Sequence, residues 1–144
     1  MPDKNTILIA EDDEDDRFLI KYAFTKTAPA LTVAFVCNGE EAIAYLLSRD
    51  RAAGAAEKQP PILLLLDIKM PRINGFEVLE WLVNHPAHRP AMVVIFSSSA
   101  DPKDLKRARE LNCDGYFVKP CDSAEYLQIA TELQCLATLD FDCI

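Results

Sequence analysis

The chain has 144 residues, 50% hydrophobic and 26% charged, a composition suited to one globular domain rather than a disordered segment. Its 15 Lys and Arg against 23 Asp and Glu give a net charge of −8, which excludes nucleic-acid binding through a general basic field. The longest apolar runs, such as residues 91–96, are far short of the ~18–20 residues of a membrane span.

In chain order, "TILIA" (Thr6–Ala10) predicts a first strand. An acidic turn follows, and then Phe18, Leu19, Tyr22 and Ala23 at helical spacing predict the apolar stripe of a first helix. "LTVAFVC" (residues 31–37) predicts a second strand with Leu31, Val33 and Phe35 on one face. Asn38 and Gly39 form a turn into a helix striped by Ala42, Ile43, Leu46 and Leu47. Residues 51–61 lack an apolar period and predict a long surface loop. "ILLLL" (residues 62–66), bracketed by prolines, suits a central strand covered on both faces. Phe76, Val78, Leu79, Leu82 and Val83 mark a third helix, and "AMVVIF" (residues 91–96) a fourth strand. Asp101-Pro102 opens a fourth helix carrying Leu105, Ala108 and Leu111. "GYFV" (Gly115–Val118) predicts a short fifth strand. Asp122 or Ser123 then caps a fifth helix with Tyr126, Leu127, Ile129, Ala130 and Leu133.

Strands alternating with helices predict a single α/β domain: one doubly wound, five-stranded parallel sheet with helices on both faces. Sites in such sheets lie at the carboxyl ends of the strands. Four of the five predicted ends carry reactive or charged groups: Glu11-Asp12, Asp67, Ser97 and Lys119-Pro120. The second strand alone ends blandly, at Cys37-Asn38.

The run 11–16 supplies six of the 23 carboxylates. Asp13, Glu14, Asp15 and Asp16 read as the capping and dipole-complementing start of a helix. Glu11 and Asp12 are open to a second reading. With Asp67 they would put three carboxylates together, and two unit charges about 4 Å apart cost roughly 4 kcal/mol at an effective dielectric near 20. A divalent cation relieves that repulsion, and an all-oxygen donor set favours Mg2+ over zinc. Lys119 adds a positive charge at the same rim and Ser97 a hydroxyl, which together suit a phosphoryl pocket with Asp67 as a carboxylate nucleophile. The five cysteines show no C-x-x-C spacing, which argues against a disulfide framework and for a reducing cytoplasm. His85 and His88 lack a third ligand for a metal role, and Trp81 reads as packing rather than a cofactor platform.

The motifs "ILIAEDD", "LLLLDIKMPRINGFEVL", "VVIFSSS" and "GYFVKP" resemble the receiver domain of two-component response regulators, over about residues 6–136. The resemblance implies a flavodoxin-like (βα)5 fold with strand order 2-1-3-4-5, occupying residues 1–144 as a single domain with no output domain. It implies Asp67 as phosphoacceptor, and Mg2+ bound by Glu11, Asp12, Asp67 and the backbone carbonyl of Lys69. Ser97, Ser98 and Lys119 would contact the phosphoryl group, Ser97 and Tyr116 would form the switch, and Lys119-Pro120 would be a cis peptide. "HPAHRPAMVVIFSSS" and the long 51–61 loop resemble stand-alone receivers partnered with bacterial phytochromes.

The implied partners are a sensor histidine kinase or phosphotransfer protein and a downstream protein, with no nucleic acid or membrane. The surface of the fourth helix, fifth strand and fifth helix is the implied switch face and a possible homodimer contact. Cys113, Cys121, Tyr126 and Phe141 lie on or near it, with Tyr126 open between interface and core. The alternatives are a phosphorylation-independent scaffold and an Asp-nucleophile phosphatase. The phosphatase reading lacks the second Asp two residues after the nucleophile, where Lys69 stands.

Overall fold

The computed structural model describes residues 6–50, 52–55 and 58–142, with side chains described as far as residue 137. The apolar runs form β1 (Thr6–Ala10), β2 (Thr32–Val36), β3 (Leu63–Leu66), β4 (Met92–Ser97) and β5 (Gly115–Val118). They pair in parallel in the order β2-β1-β3-β4-β5. Between and after them lie α1 (Glu14–Thr27), α2 (Gly39–Leu47), α3 (Gly75–Asn84), α4 (Pro102–Glu110) and α5 (Ser123–Asp142). The fold is thus the flavodoxin-like arrangement implied by the sequence motifs.

Side chains alternate across each strand, so every central strand feeds two cores. Leu8, Ala10, Leu64, Leu66, Val93 and Ile95 pack with residues of α2, α3 and α4. Ile7, Ile9, Leu63, Leu65, Val94 and Phe96 pack with residues of α1 and α5. All four β3 leucines are buried. A fully buried Leu contributes about 1.5–3 kcal/mol, so β3 is a main source of the fold's stability.

The helix starts follow their capping residues. Asp13 accepts from the backbone N–H groups of Asp15 and Asp16 at 2.8 and 3.1 Å. Asn74 and Glu77 form a reciprocal capping box at the start of α3. Asp101 caps α4, and Asp122, rather than Ser123, caps α5 by accepting from Glu125 N–H at 2.9 Å.

The predicted face of α1 is corrected. Its buried residues are Ile20, Ala23 and Phe24, whereas Phe18 is 69% exposed and Tyr22 also faces solvent. Ala23 of the predicted stripe is buried and Leu19 packs at the core's edge; Phe18 with Tyr22 and Ile20 with Phe24 both obey helical spacing, and packing against Ile9, Leu65 and α5 selects the second pair. Leu47 and Val83, read as stripe residues of α2 and α3, are likewise exposed. The described parts of the 51–61 loop are mostly surface turns, closed where Asp50 N–H donates to the Lys58 carbonyl at 2.7 Å. Residues 51, 56 and 57 of that prediction lie outside the described residues.

The cis peptide expected at Lys119-Pro120 is also corrected: the bond is trans, as are all described peptide bonds. A proline amide keeps a trans preference of about 0.5–1 kcal/mol, and here the trans chain still lets Lys119 N–H donate to the Ser97 carbonyl at 2.8 Å.

Gly75 sits where the loop after β3 enters α3. Its N–H donates to the Ile68 carbonyl at 2.8 Å, and a Cβ there would collide with the Asp67 carbonyl and the Ile68 backbone. Gly75→Ala should therefore lower stability by about 1–3 kcal/mol, read as a lower urea midpoint. An unchanged midpoint would show that the loop carrying Asp67 yields freely.

Candidate phosphoryl-transfer site

The sheet ladder extends one residue past the strands and fixes the site's backbone. Glu11 N–H donates to the Val36 carbonyl at 3.0 Å, and Asp67 N–H to the Ala10 carbonyl at 3.1 Å. With the Lys119 bond to Ser97, these contacts hold three charged residues in register at one edge. The cleft above them is lined by Glu11, Asp12, Asp16, Asp67, Ser98 and Lys119.

Glu11 is 1% exposed and Asp67 6% exposed. Both surround the Lys119 ammonium, whose Nζ lies 2.8 Å from Glu11 Oε1 and 3.2 Å from Asp67 Oδ2. A third carboxylate, Asp16 Oδ2, is also at 2.8 Å. Burial of ionised groups requires such pairing, and one cation serves three anions here.

Protonation reflects that imbalance. Burial pushes the Glu11 carboxyl up to about 7, against the hydrogen bond from Lys119, and the neighbouring Asp67 charge adds to the rise. Asp67 is raised as well, again by burial, with Lys119 opposing. Burial alone would lower Lys119, but its bonds to Asp16 and Glu11 and the charge of Asp67 hold it well above the usual lysine range.

Carboxylate oxygens of Glu11, Asp12 and Asp67 lie within 4.8 Å of one another. The donor set is all oxygen and carries excess negative charge, which fits a hard divalent cation. Asp12 is exposed while the other two are buried, so the cluster opens to solvent on one side. The nearby Lys69 backbone N–H also opposes the rise at Asp67, as the smallest influence on it.

The serines divide. Ser98 lines the cleft. Ser97 is fully buried, and its Oγ accepts from Ser99 N–H at 3.2 Å. Tyr116 donates its hydroxyl to the Ser99 carbonyl at 2.8 Å, and Ser99 Oγ donates to Asp104 of α4 at 2.6 Å. The two expected switch residues thus converge on Ser99, a residue the motif reading passed over.

Tyr126 is buried and meets the Phe96 ring edge-on with centroids 5.7 Å apart, which settles it as core. Cys121 is exposed and Cys113 half-buried. Phe141 lies outside the residues whose side chains are described. Trp81 packs against the α2–α4 core and stacks on His85 at 4.3 Å. Among the described residues, no helix is long and apolar enough to cross a membrane.

The family model for the response regulator receiver domain matches residues 7–131. The crystal structure of the phosphorylated cyanobacterial phytochrome response regulator RcpA is similar, with a TM-score of 0.80 and 28% identity, covering 93% of this chain and 94% of that one. A response regulator in red light signalling of R. palustris gives a TM-score of 0.78 and 28% identity, covering 92% of each chain. A probable methanogenesis regulatory protein of Methanothrix harundinacea, FilR2, is 27% identical over 128 residues, 89% of this chain and 80% of the relative.

Proposed function

The chain belongs to the response regulator receiver domain family, and we propose that it accepts a phosphoryl group on Asp67 from a sensor histidine kinase or phosphotransfer protein. The observation that carries this reading is the setting of Asp67: 6% exposed at the end of β3, facing Lys119 at 3.2 Å, with carboxylates of Glu11 and Asp12 close by. A carboxylate so placed is a nucleophile whose partners are preorganised around it. Lys119 orients the Asp67 oxygen and offers positive charge to the incoming group. Ser98 lines the entry, and rotation of the Ser97 hydroxyl from Ser99 toward the cleft would give a further donor. Glu11, Asp12, Asp67 and the Lys69 carbonyl would hold Mg2+, which would offset the acidic charge and draw electron density from phosphoryl oxygens.

Ser97 rotation would withdraw the acceptor of Ser99 N–H. Ser99 also holds Tyr116 of β5 and Asp104 of α4, so the change would reach the face made by α4, β5 and α5. Val118 of β5 is exposed there, suiting that face to a downstream protein or a second copy of the chain. The module acts by binding, as receiver domains do, rather than by turnover.

The test is binding of Mg2+ and beryllofluoride, with molecular size followed in parallel. Saturable beryllofluoride binding that requires Mg2+ and is lost in Asp67→Asn is the expected result. Binding that persists in that variant would remove Asp67 as the acceptor. Absence of any response in the native protein would favour the scaffold reading.

A further inference from the structure

Asp16 belongs to the acidic first turn of α1, whose other members are capping or exposed residues. Its side chain does something different: it reaches across to β5 and bonds Lys119 Nζ at 2.8 Å. An ammonium has three N–H donors. Here Glu11, Asp16 and Asp67 each accept one contact, at 2.8, 2.8 and 3.2 Å. The contacts to Asp16 and Asp67 are hydrogen bonds and that to Glu11 is an ion pair, and the longest is the one to Asp67.

We propose that Asp16 is a restraining residue that competes with Asp67, and with a phosphoryl group on it, for the Lys119 ammonium. This inference rests on the phosphoacceptor reading of Asp67. A phosphoryl oxygen on Asp67 draws the Lys119 ammonium toward itself, and the shorter contacts that hold the ammonium, to Glu11 and Asp16, must lengthen. Glu11 is held from within the protein, with a side chain 2% exposed, whereas the Asp16 side chain is 26% exposed. Release of Asp16 returns a carboxylate to water, so it is the least costly contact to break. Asp16 cannot simply follow Lys119 inward, because its own N–H is tied to the Asp13 side chain at 3.1 Å in the helix cap. Its charge also bears on Tyr126 of α5, whose phenol is pushed up to about 12 by burial first and by Asp16 next. The restraint thus sits where α1, β5 and α5 meet.

The experiment compares beryllofluoride affinity at saturating Mg2+ for the native protein, Asp16→Asn, Asp16→Glu and Asp15→Asn. Asp15 lies in the same turn, is exposed, and carries the same charge without a contact to Lys119, so it controls for general electrostatics. Competition predicts that Asp16→Asn, whose neutral amide oxygen is the weaker acceptor, binds about tenfold more tightly, the difference between a charge-assisted and a neutral hydrogen bond. Asp15→Asn should gain less than about twofold, as expected of a screened surface charge. Asp16→Glu, which keeps the charged acceptor, should stay near the native value. Thermal unfolding of each variant checks that the fold is intact. Equal or weaker binding by Asp16→Asn would overturn the inference, as would an equal gain in Asp15→Asn. Failure of the native protein to bind beryllofluoride with Mg2+ would instead overturn the phosphoacceptor reading itself.

Discussion

Asp67→Asn is expected to abolish Mg2+-dependent phosphate incorporation while making the metal-free protein more stable. The loss follows because an amide oxygen cannot replace the carboxylate nucleophile. The gain follows from charge. Glu11, Asp16 and Asp67 share one ammonium, with the Asp12 carboxylate beside them. Burial raises both Glu11 and Asp67. A carboxyl raised on folding binds more protons in the native state than in the unfolded chain. Stability therefore falls as pH rises from the ordinary carboxylate range through the raised values, about 7 for Glu11. At pH 8 Glu11 is largely ionised in the native state, and the cost of its buried charge is present. Asparagine removes one charge yet keeps an oxygen to accept from Lys119. A net gain of about 1–2 kcal/mol is expected, or several degrees in Tm. Saturating Mg2+ should narrow the difference, since the native site then has its charge offset. A lower Tm for Asp67→Asn without metal would show that its bond to Lys119 outweighs the repulsion.

Lys119→Met should act in the opposite direction. Met keeps the length of the aliphatic stem but leaves Glu11 and Asp67 buried without their cation. Breaking a buried pair in this way costs about 3–5 kcal/mol, a drop of roughly 10 °C or more in Tm for a domain of this size. The loss should be larger at pH 8 than at pH 5.5, where the raised carboxyl of Glu11 takes up a proton. Mg2+ should restore part of it at the higher pH. Thermal melts at the two pH values, with and without Mg2+, read all of these effects. A pH-independent loss would mean that Lys119 acts through packing rather than charge.

Strand ends were legible because a parallel sheet leaves few choices. Short apolar runs between turn residues had to be strands, and the residue after each had to lie on one rim. Glu11, Asp67 and Lys119 followed from that, and the receiver resemblance supplied the strand order. The face of α1 was not legible, because Phe18 with Tyr22 and Ile20 with Phe24 fit the same period equally well. Only packing against β1, β3 and α5 selects between them. Asp16 was hidden for a related reason. In sequence it is one of six consecutive acids, and no spacing rule points it toward a lysine 103 residues away. Ser99 was hidden because its links to Ser97 and Tyr116 run through its backbone N–H and carbonyl, groups that every residue possesses. The trans Lys119-Pro120 bond departs from what the motif implied, since the identity of the residues leaves both isomers open.

The most direct test of the central claim is the intact mass of the protein after incubation with Mg2+ and acetyl phosphate, followed by an acid quench. A gain of one phosphoryl group in the native protein, absent when Mg2+ is chelated and absent in Asp67→Asn, is the predicted result. Full labelling of Asp67→Asn, or no labelling of the native protein, would contradict it.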